Sequence, residues 1–161
     1  MMLTNSHCAG GRHAEALNSA MPLATGNPEQ IVNEDRREAY LEAGLAALAL
    51  DDQGALETLI TFVTDLSPVW RSPLLRAGMA RFDGLLAARR GDTRRAEGQL
   101  SAAIRELRGI ETPFVLAQVL LEHAELVGDA GESEEARRIF ERLRATPWLE
   151  RCSRFAARAA V

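Results

Sequence analysis

Along most of the chain, apolar residues recur every three or four positions, the spacing that collects them on one face of an α-helix. Leu56, Ile60 and Val63 keep this spacing, even though the surrounding Leu59–Thr64 segment is rich in β-branched residues. No segment of useful length alternates with period two, so strands are not predicted. Three Ser/Thr-Pro pairs punctuate the pattern: Ser72-Pro73, Thr112-Pro113 and Thr146-Pro147. Each offers a hydroxyl as N-cap, followed by a proline whose missing N–H costs nothing in the first helical turn. Asn27-Pro28 has the same form, with its helix starting later, near Asn33. Asp52 and Asp92 are further N-cap candidates, and Gly91, Gly109, Gly128 and Gly131 are predicted helix stops. Together these signals predict helices over 12–22, 33–50, 53–66, 73–90, 93–108, 113–128, 133–144 and 147–159.

The pattern repeats at an offset of 40 residues. Gly44, Gly84 and Ala124 are equivalent, as are Ala47, Ala87 and Val127. So are Leu56, Ala96 and Ala136, and likewise Ile60, Leu100 and Phe140. A fixed period of this length marks stacked supersecondary units, here helix pairs. Small residues let the two helices of a pair approach, and larger residues one turn away fill the adjoining grooves. Leu56 breaks the small-residue pattern, which predicts looser packing or a different angle in the first unit. Shifting the frame back by 40 places Thr4, Ala16 and Ala20 at the Gly44, Leu56 and Ile60 positions. The array is therefore expected to open partway through a first helix, as an excised segment or truncated relative of a longer protein would.

The spaced set resembles the tetratricopeptide repeat (TPR). Gly44, Gly84 and Ala124 match the family's small residue in the first helix. Ala96 and Ala136 match its small residue early in the second, and Ile60, Leu100 and Phe140 the large one that follows; Ala103 fits the next small position. The match is degenerate. The usual first-helix Trp is Tyr40, Ala80 and Leu120 here, and the period exceeds the usual 34. A narrower resemblance runs from Thr112-Pro113 through Glu135-Ala136-Arg137-Arg138 to Ala145-Thr146-Pro147-Trp148-Leu149-Glu150-Arg151. This stretch is similar to the helical-repeat tails of bacterial STAND ATPase and nucleotide-cyclase-type regulators. The resemblance implies an all-α, TPR-like solenoid: a short right-handed superhelix of about three helix pairs, with a partial N-terminal unit and a closing helix, in one domain over 1–161. It also implies a regulatory, partner- or ligand-sensing role, and carries over no cyclase or ATPase activity.

Composition narrows the function classes. The chain has 161 residues, 47% of them apolar, and a net charge of −4, so no global charge draws it to nucleic acid or anionic membrane. All 19 basic residues are Arg, which rules out Schiff-base chemistry and the lysine of a phosphate-binding P-loop. No run approaches 18 uncharged apolar residues and no signal-peptide pattern opens the chain, so a cytoplasmic location is expected. Cys8 and Cys152, near opposite ends, are expected to be free thiols.

Candidate chemistry is sparse. His7, Cys8 and His13 fall short of the four ligands of a structural zinc site. His123, beside Glu122 and Glu125, has no nucleophile at matching helical spacing and reads as a surface residue. Glu132, Glu134 and Glu135 suit a helix N-terminus. The pairs Arg89-Arg90, Arg94-Arg95 and Arg137-Arg138 alternate with acids and read as salt-bridged solvent faces. Trp148 is expected to pack on the preceding helix pair, while Trp70, in a loop, is less clearly buried. No catalytic residue, metal ligand or cofactor is expected.

In a TPR-like array the first helices of successive pairs line a concave surface. The resemblance assigns Leu41, Leu45, Leu48, Arg81, Leu85, Gln118, Leu121 and Glu125 to that groove. Glu38, Gly78, Ala88 and Gly128 complete the family frame. Such a surface suits a peptide or protein segment with apolar side chains and one acidic group facing Arg81. Arg81→Glu is then expected to abolish binding without loss of helix. The alternative is a small-molecule sensor with a closed apolar pocket. Self-association through an exposed end face is a further expectation, whereas nucleic-acid and membrane partners are not expected.

Overall fold

The structure is a computed structural model that describes the backbone of residues 4–161 and the side chains of residues 11–161. Among these residues the chain is all-α, with eight helices and no strand. They are α1 (Thr4–Thr25), α2 (Asn33–Leu50), α3 (Gln53–Asp65), α4 (Pro73–Arg89), α5 (Thr93–Arg108), α6 (Pro113–Val127), α7 (Ala130–Leu143) and α8 (Thr146–Ala159). A short 3₁₀ turn, Pro68–Trp70, joins α3 to α4.

The caps explain where the helices start. Asp52 and Asp92, 40 residues apart, accept from the N–H groups of Ala55 and Arg95 at 2.9 and 3.1 Å. Ser72 accepts from Leu75 N–H at 3.3 Å. Thr112 occupies its cap position, but its hydroxyl is buried without a partner. Thr146 is already inside α8, whose cap position is Ala145. At the helix ends, Asp51 and Gly91 occupy equivalent places and both adopt a left-handed backbone, φ 55° and 81°. The third unit departs from this register. Its left-handed residue is Gly128, Asp129 caps the next helix, and α7 starts at Ala130 rather than 133. Gly131 consequently lies in the first turn of α7 and is not a stop.

Two apolar cores share one wall. The first gathers α1, α2 and α3 with Leu75, Phe82 and Leu86 of α4. The second gathers α5, α6, α7 and Cys152 of α8 with Ala77 and Ala80 of α4. The fully buried residues of the central helix are thus bulky on one side and small on the other. On the small side, a Cβ on Gly84 would meet Leu100 Cγ at 3.0 Å and Ala96 O at 3.1 Å, the close approach expected within a pair. Gly44 works differently. A Cβ there would lie 1.9 Å from the Phe82 ring, so this glycine makes room for α4 of the next unit rather than for α3. Accordingly α2 and α3 approach along a shorter stretch than α4 and α5 or α6 and α7, as the large Leu56 foretold.

The N-terminal unit differs from the expectation. A repeat frame would place a turn near residues 11–12, but α1 runs through that point as one helix. It packs closely along α2, with Ala20 and Ala24 against a buried face that includes Ala39, Ala43, Ala46 and Ala47. His7 and Cys8 lie outside the residues whose side chains are described.

Candidate functional site

The first helices α2, α4 and α6 lie side by side, and α8 closes the row. Between them is a cavity of about 540 Å³, open to solvent and lined by Leu45, Leu48 and Ala49, by Leu85, Ala88 and Arg89, by Glu122, and by Trp148 and Arg151. The lining is apolar in the middle. Leu45, 38% exposed, is its most accessible large residue among those of α2. Leu45 and Leu48, and likewise Leu85 and Ala88, are three residues apart, so each helix presents one stripe to the opening.

Two arginines flank this apolar strip. On one side, Arg89 donates to Asp51 Oδ1 at 2.8 Å and to the carbonyl of Leu48 at 2.6 Å. It thereby clamps α4 to the C-terminal end of α2, where the helix dipole favours a cation. On the other side, Arg151 donates to both oxygens of Glu125, at 2.9 and 2.5 Å, and its guanidinium lies 5.2 Å from the Trp148 ring centre. The Glu125 carboxylate holds the Arg151 pKa above its usual value. Trp148 itself stacks on Phe140 of α7, with ring centres 5.4 Å apart.

Beneath the strip lies a buried polar bridge. Arg81 is 1% exposed and Glu122 7% exposed. Arg81 Nε and Nη2 donate to the two Glu122 oxygens at 2.8 and 2.5 Å, and Nη1 donates to Gln118 Oε1 at 3.0 Å. This fork-to-fork pairing joins α4 to α6, and a buried charge needs such partners.

Leu45, Leu48 and Leu85 lie together in the lining of this cavity, and Ala88 joins them. Glu125 stands at the rim through Arg151. Leu41 is half-buried and packs against the first core. Arg81, Gln118 and Leu121 do not face the opening. The first two form the buried bridge, and Leu121 is wholly inside the second core. The repeat frame assigned all three to the groove. It did not register that α8 covers this end and that Arg81 has two acceptors 37 and 41 residues away. Arg89, Trp148 and Arg151 complete the site and were missed. The signal available was the Trp148/Arg151 spacing of three, which puts both on one face of the closing helix.

Two other candidates resolve differently. His123 is buried rather than on the surface. Its Nδ1–H donates to Glu132 Oε2 at 2.5 Å, and its Nε2 accepts from Ser101 Oγ–H at 3.2 Å, the tautomer being assigned from the carboxylate partner. Hydroxyl, imidazole and carboxylate thus follow the order of a nucleophilic triad. Ser101, however, sits in the middle of α5, where backbone N–H groups are committed to the helix ladder and none is free to stabilise an oxyanion. The three side chains instead tie α5, α6 and α7 together. Trp70 is half-buried against the first core.

Most of the arginine pairs are salt-bridged, as expected from their alternation with acids. Arg90 meets Glu57, Arg95 meets Asp83, and Arg137 meets both Glu134 and Glu141. Among the described residues no group of three or more His, Cys, Asp or Glu side chains is arranged to hold a metal ion, and no helix is long and apolar enough to cross a membrane. No family model matches the chain, and no curated protein or solved structure is significantly similar to it.

Proposed function

We propose that the chain is a non-catalytic, TPR-like interaction module that binds a peptide or protein segment in the groove between α2, α4, α6 and α8. The observation that carries this reading is the open apolar strip of Leu45, Leu48, Leu85, Ala88 and Trp148, with an arginine on either side. Its apolar surface would bury matching side chains of an extended or helical segment. Because every Arg81 nitrogen already has an acceptor, the acidic group of the ligand would be met by Arg89 or Arg151, whose side chains remain about one-third exposed. The narrower sequence resemblance to bacterial regulator tails supports a regulatory setting for this binding. The groove is open to solvent, which favours a peptide over the enclosed metabolite of a sensor.

The test is selection of peptides from a displayed random library, followed by a direct binding titration. Leu45→Glu together with Ala88→Glu puts two carboxylates on the strip at accessible positions. Selected peptides should share apolar residues near an acid and lose at least about tenfold in affinity for this variant, a change of about 1.4 kcal/mol, at unchanged helical content. Peptides that bind both proteins equally, or no enrichment at all, would remove the groove from consideration.

A further inference from the structure

The charges of the chain are segregated along the array. Residues 26–66 hold nine acidic and two basic side chains, a net charge of −7. Residues 142–161 hold five arginines and one glutamate, a net charge of +4. The structure turns this asymmetry into two faces at opposite ends. At the N-terminal end, Asp35, Glu38 and Glu42 form a single stripe on α2, beside exposed Leu23 of α1, and line a shallow cavity of about 230 Å³. At the C-terminal end, Arg154 and Arg158 project from the exposed side of α8, opposite buried Cys152.

Elsewhere among the described residues some arginines are matched to carboxylates across helices, as in Arg76–Glu106, Arg90–Glu57 and Arg108–Glu135, while Arg94, Arg105, Arg142 and Arg144 are exposed without such a partner. Among the described residues, Asp35, Glu38, Glu42, Arg154 and Arg158 have no ion-pair partner. Like charges one helical turn apart repel each other. Glu38/Glu42 and Arg154/Arg158 are both four apart, so the two stripes have the same spacing and opposite sign.

We propose that the partner of each stripe is the other stripe on a second copy of this chain. The basic outer face of α8 of one molecule docks on the acidic α1–α2 face of the next, extending the row of helices head to tail. The two faces differ, so the contact is heterologous and each added molecule leaves one acidic and one basic end free. Such a contact builds open chains unless its rotation happens to close a ring. Because the attraction is between exposed charges, it is strong at low salt and screened at high salt.

The experiment is sedimentation equilibrium of the 161-residue chain at about 0.01 M and about 1 M salt, where screening lengths are about 30 and 3 Å. The wild type should exceed its monomer mass of 17.6 kDa increasingly with concentration at low salt, and return to it at high salt. Two variants, Glu38→Arg with Glu42→Arg and Arg154→Glu with Arg158→Glu, change only exposed positions, and circular dichroism checks their folding. Each variant alone should remain monomeric, since its two ends now carry the same sign. An equimolar mixture of the two should associate again, because each end regains an opposite. A wild type that is monomeric throughout, association that survives either reversal or high salt, or a mixture that stays monomeric would each overturn the proposal. So would a basic end that binds phosphatidylserine vesicles while the chain shows no self-association.

Discussion

Arg81 and Glu122 face each other through two parallel hydrogen bonds of 2.8 and 2.5 Å, beneath the floor of the groove and almost wholly out of water. The pair is the only described ion pair with both side chains nine-tenths buried. It joins residues 41 apart in sequence, and so it ties α4, the wall shared by the two cores, to α6 of the second. Removing one partner leaves the other as an uncompensated buried charge, which costs about 3–5 kcal/mol. Arg81→Glu should therefore unfold or strongly destabilise the protein rather than selectively abolish binding. Urea denaturation followed by circular dichroism measures this. The double replacement Arg81→Met with Glu122→Leu, which removes both charges, should be far milder. A folded Arg81→Glu protein of wild-type stability would show that the bridge contributes little.

Three glycines in helices or helix ends separate packing, backbone strain and helix propensity. Gly44→Ala would place a Cβ 1.9 Å from the fully buried Phe82 ring, forcing ring and helix apart. A cost of about 1–3 kcal/mol follows from overpacking. Gly91→Ala meets no neighbour within 4 Å but must hold φ 81°, a left-handed backbone that alanine disfavours by about 1–2 kcal/mol. Gly98→Ala, inside α5 with open space around it, should stabilise by about 0.5–1 kcal/mol. Thermal melts of the three variants should give two decreases and one increase.

How much of this was legible in the sequence depends on the range of the interaction. Asp52, Asp92 and Ser72 are local devices whose partners lie three residues on, and they fixed helix starts to the residue. The apolar spacing of α5 and α7 likewise identified Leu100 and Phe140 as core. The failures are non-local. Gly44 looked like Gly84, but its neighbour is Phe82 of another unit, a contact that no period reveals. Arg81 carried the same appearance as a solvent-facing arginine until Gln118 and Glu122 were folded beneath it. Trp148 was expected to pack on the preceding helix pair, and it stacks on Phe140 of α7; its second role on the groove wall depends on how α8 turns back over α6.

Acid should loosen the contacts between helices in a defined direction. Hydrogen bonds from Arg76 and Arg108 hold the Glu106 and Glu135 carboxyls below their ordinary pKa, and Arg137 with Arg138 holds Glu134 at about 2. These are depressed carboxylates, so their contribution is fully present above the unfolded pKa, about 4.3. It is lost as pH falls from there through the folded values. Urea midpoints measured from pH 6 down to about pH 2 should fall, and Arg76→Gln with Arg108→Gln should flatten that fall by removing the two partners that link α4 to α5 and α5 to α7. An unchanged slope in the variant would mean that these exposed pairs leave stability unaffected.

Cys152 should report on the closing helix. Its thiol is buried between α8 and the second core, and burial pushes its pKa above the ordinary cysteine value. Since the thiolate is the reactive form, both effects slow attack on a disulfide reagent. In a Cys8→Ser background, native protein should react with such a reagent much more slowly than denatured protein. Leu149 and Trp148 pack the same helix onto the core, so Trp148→Ala, a loss of large apolar contact, should raise the rate by freeing α8 locally. If Cys152 instead reacts as fast in the native chain as in urea, α8 does not stay docked in solution. The groove wall formed by Trp148 and Arg151 would then be absent for much of the time, and the peptide affinity attributed to the groove would have to come from α2, α4 and α6 alone.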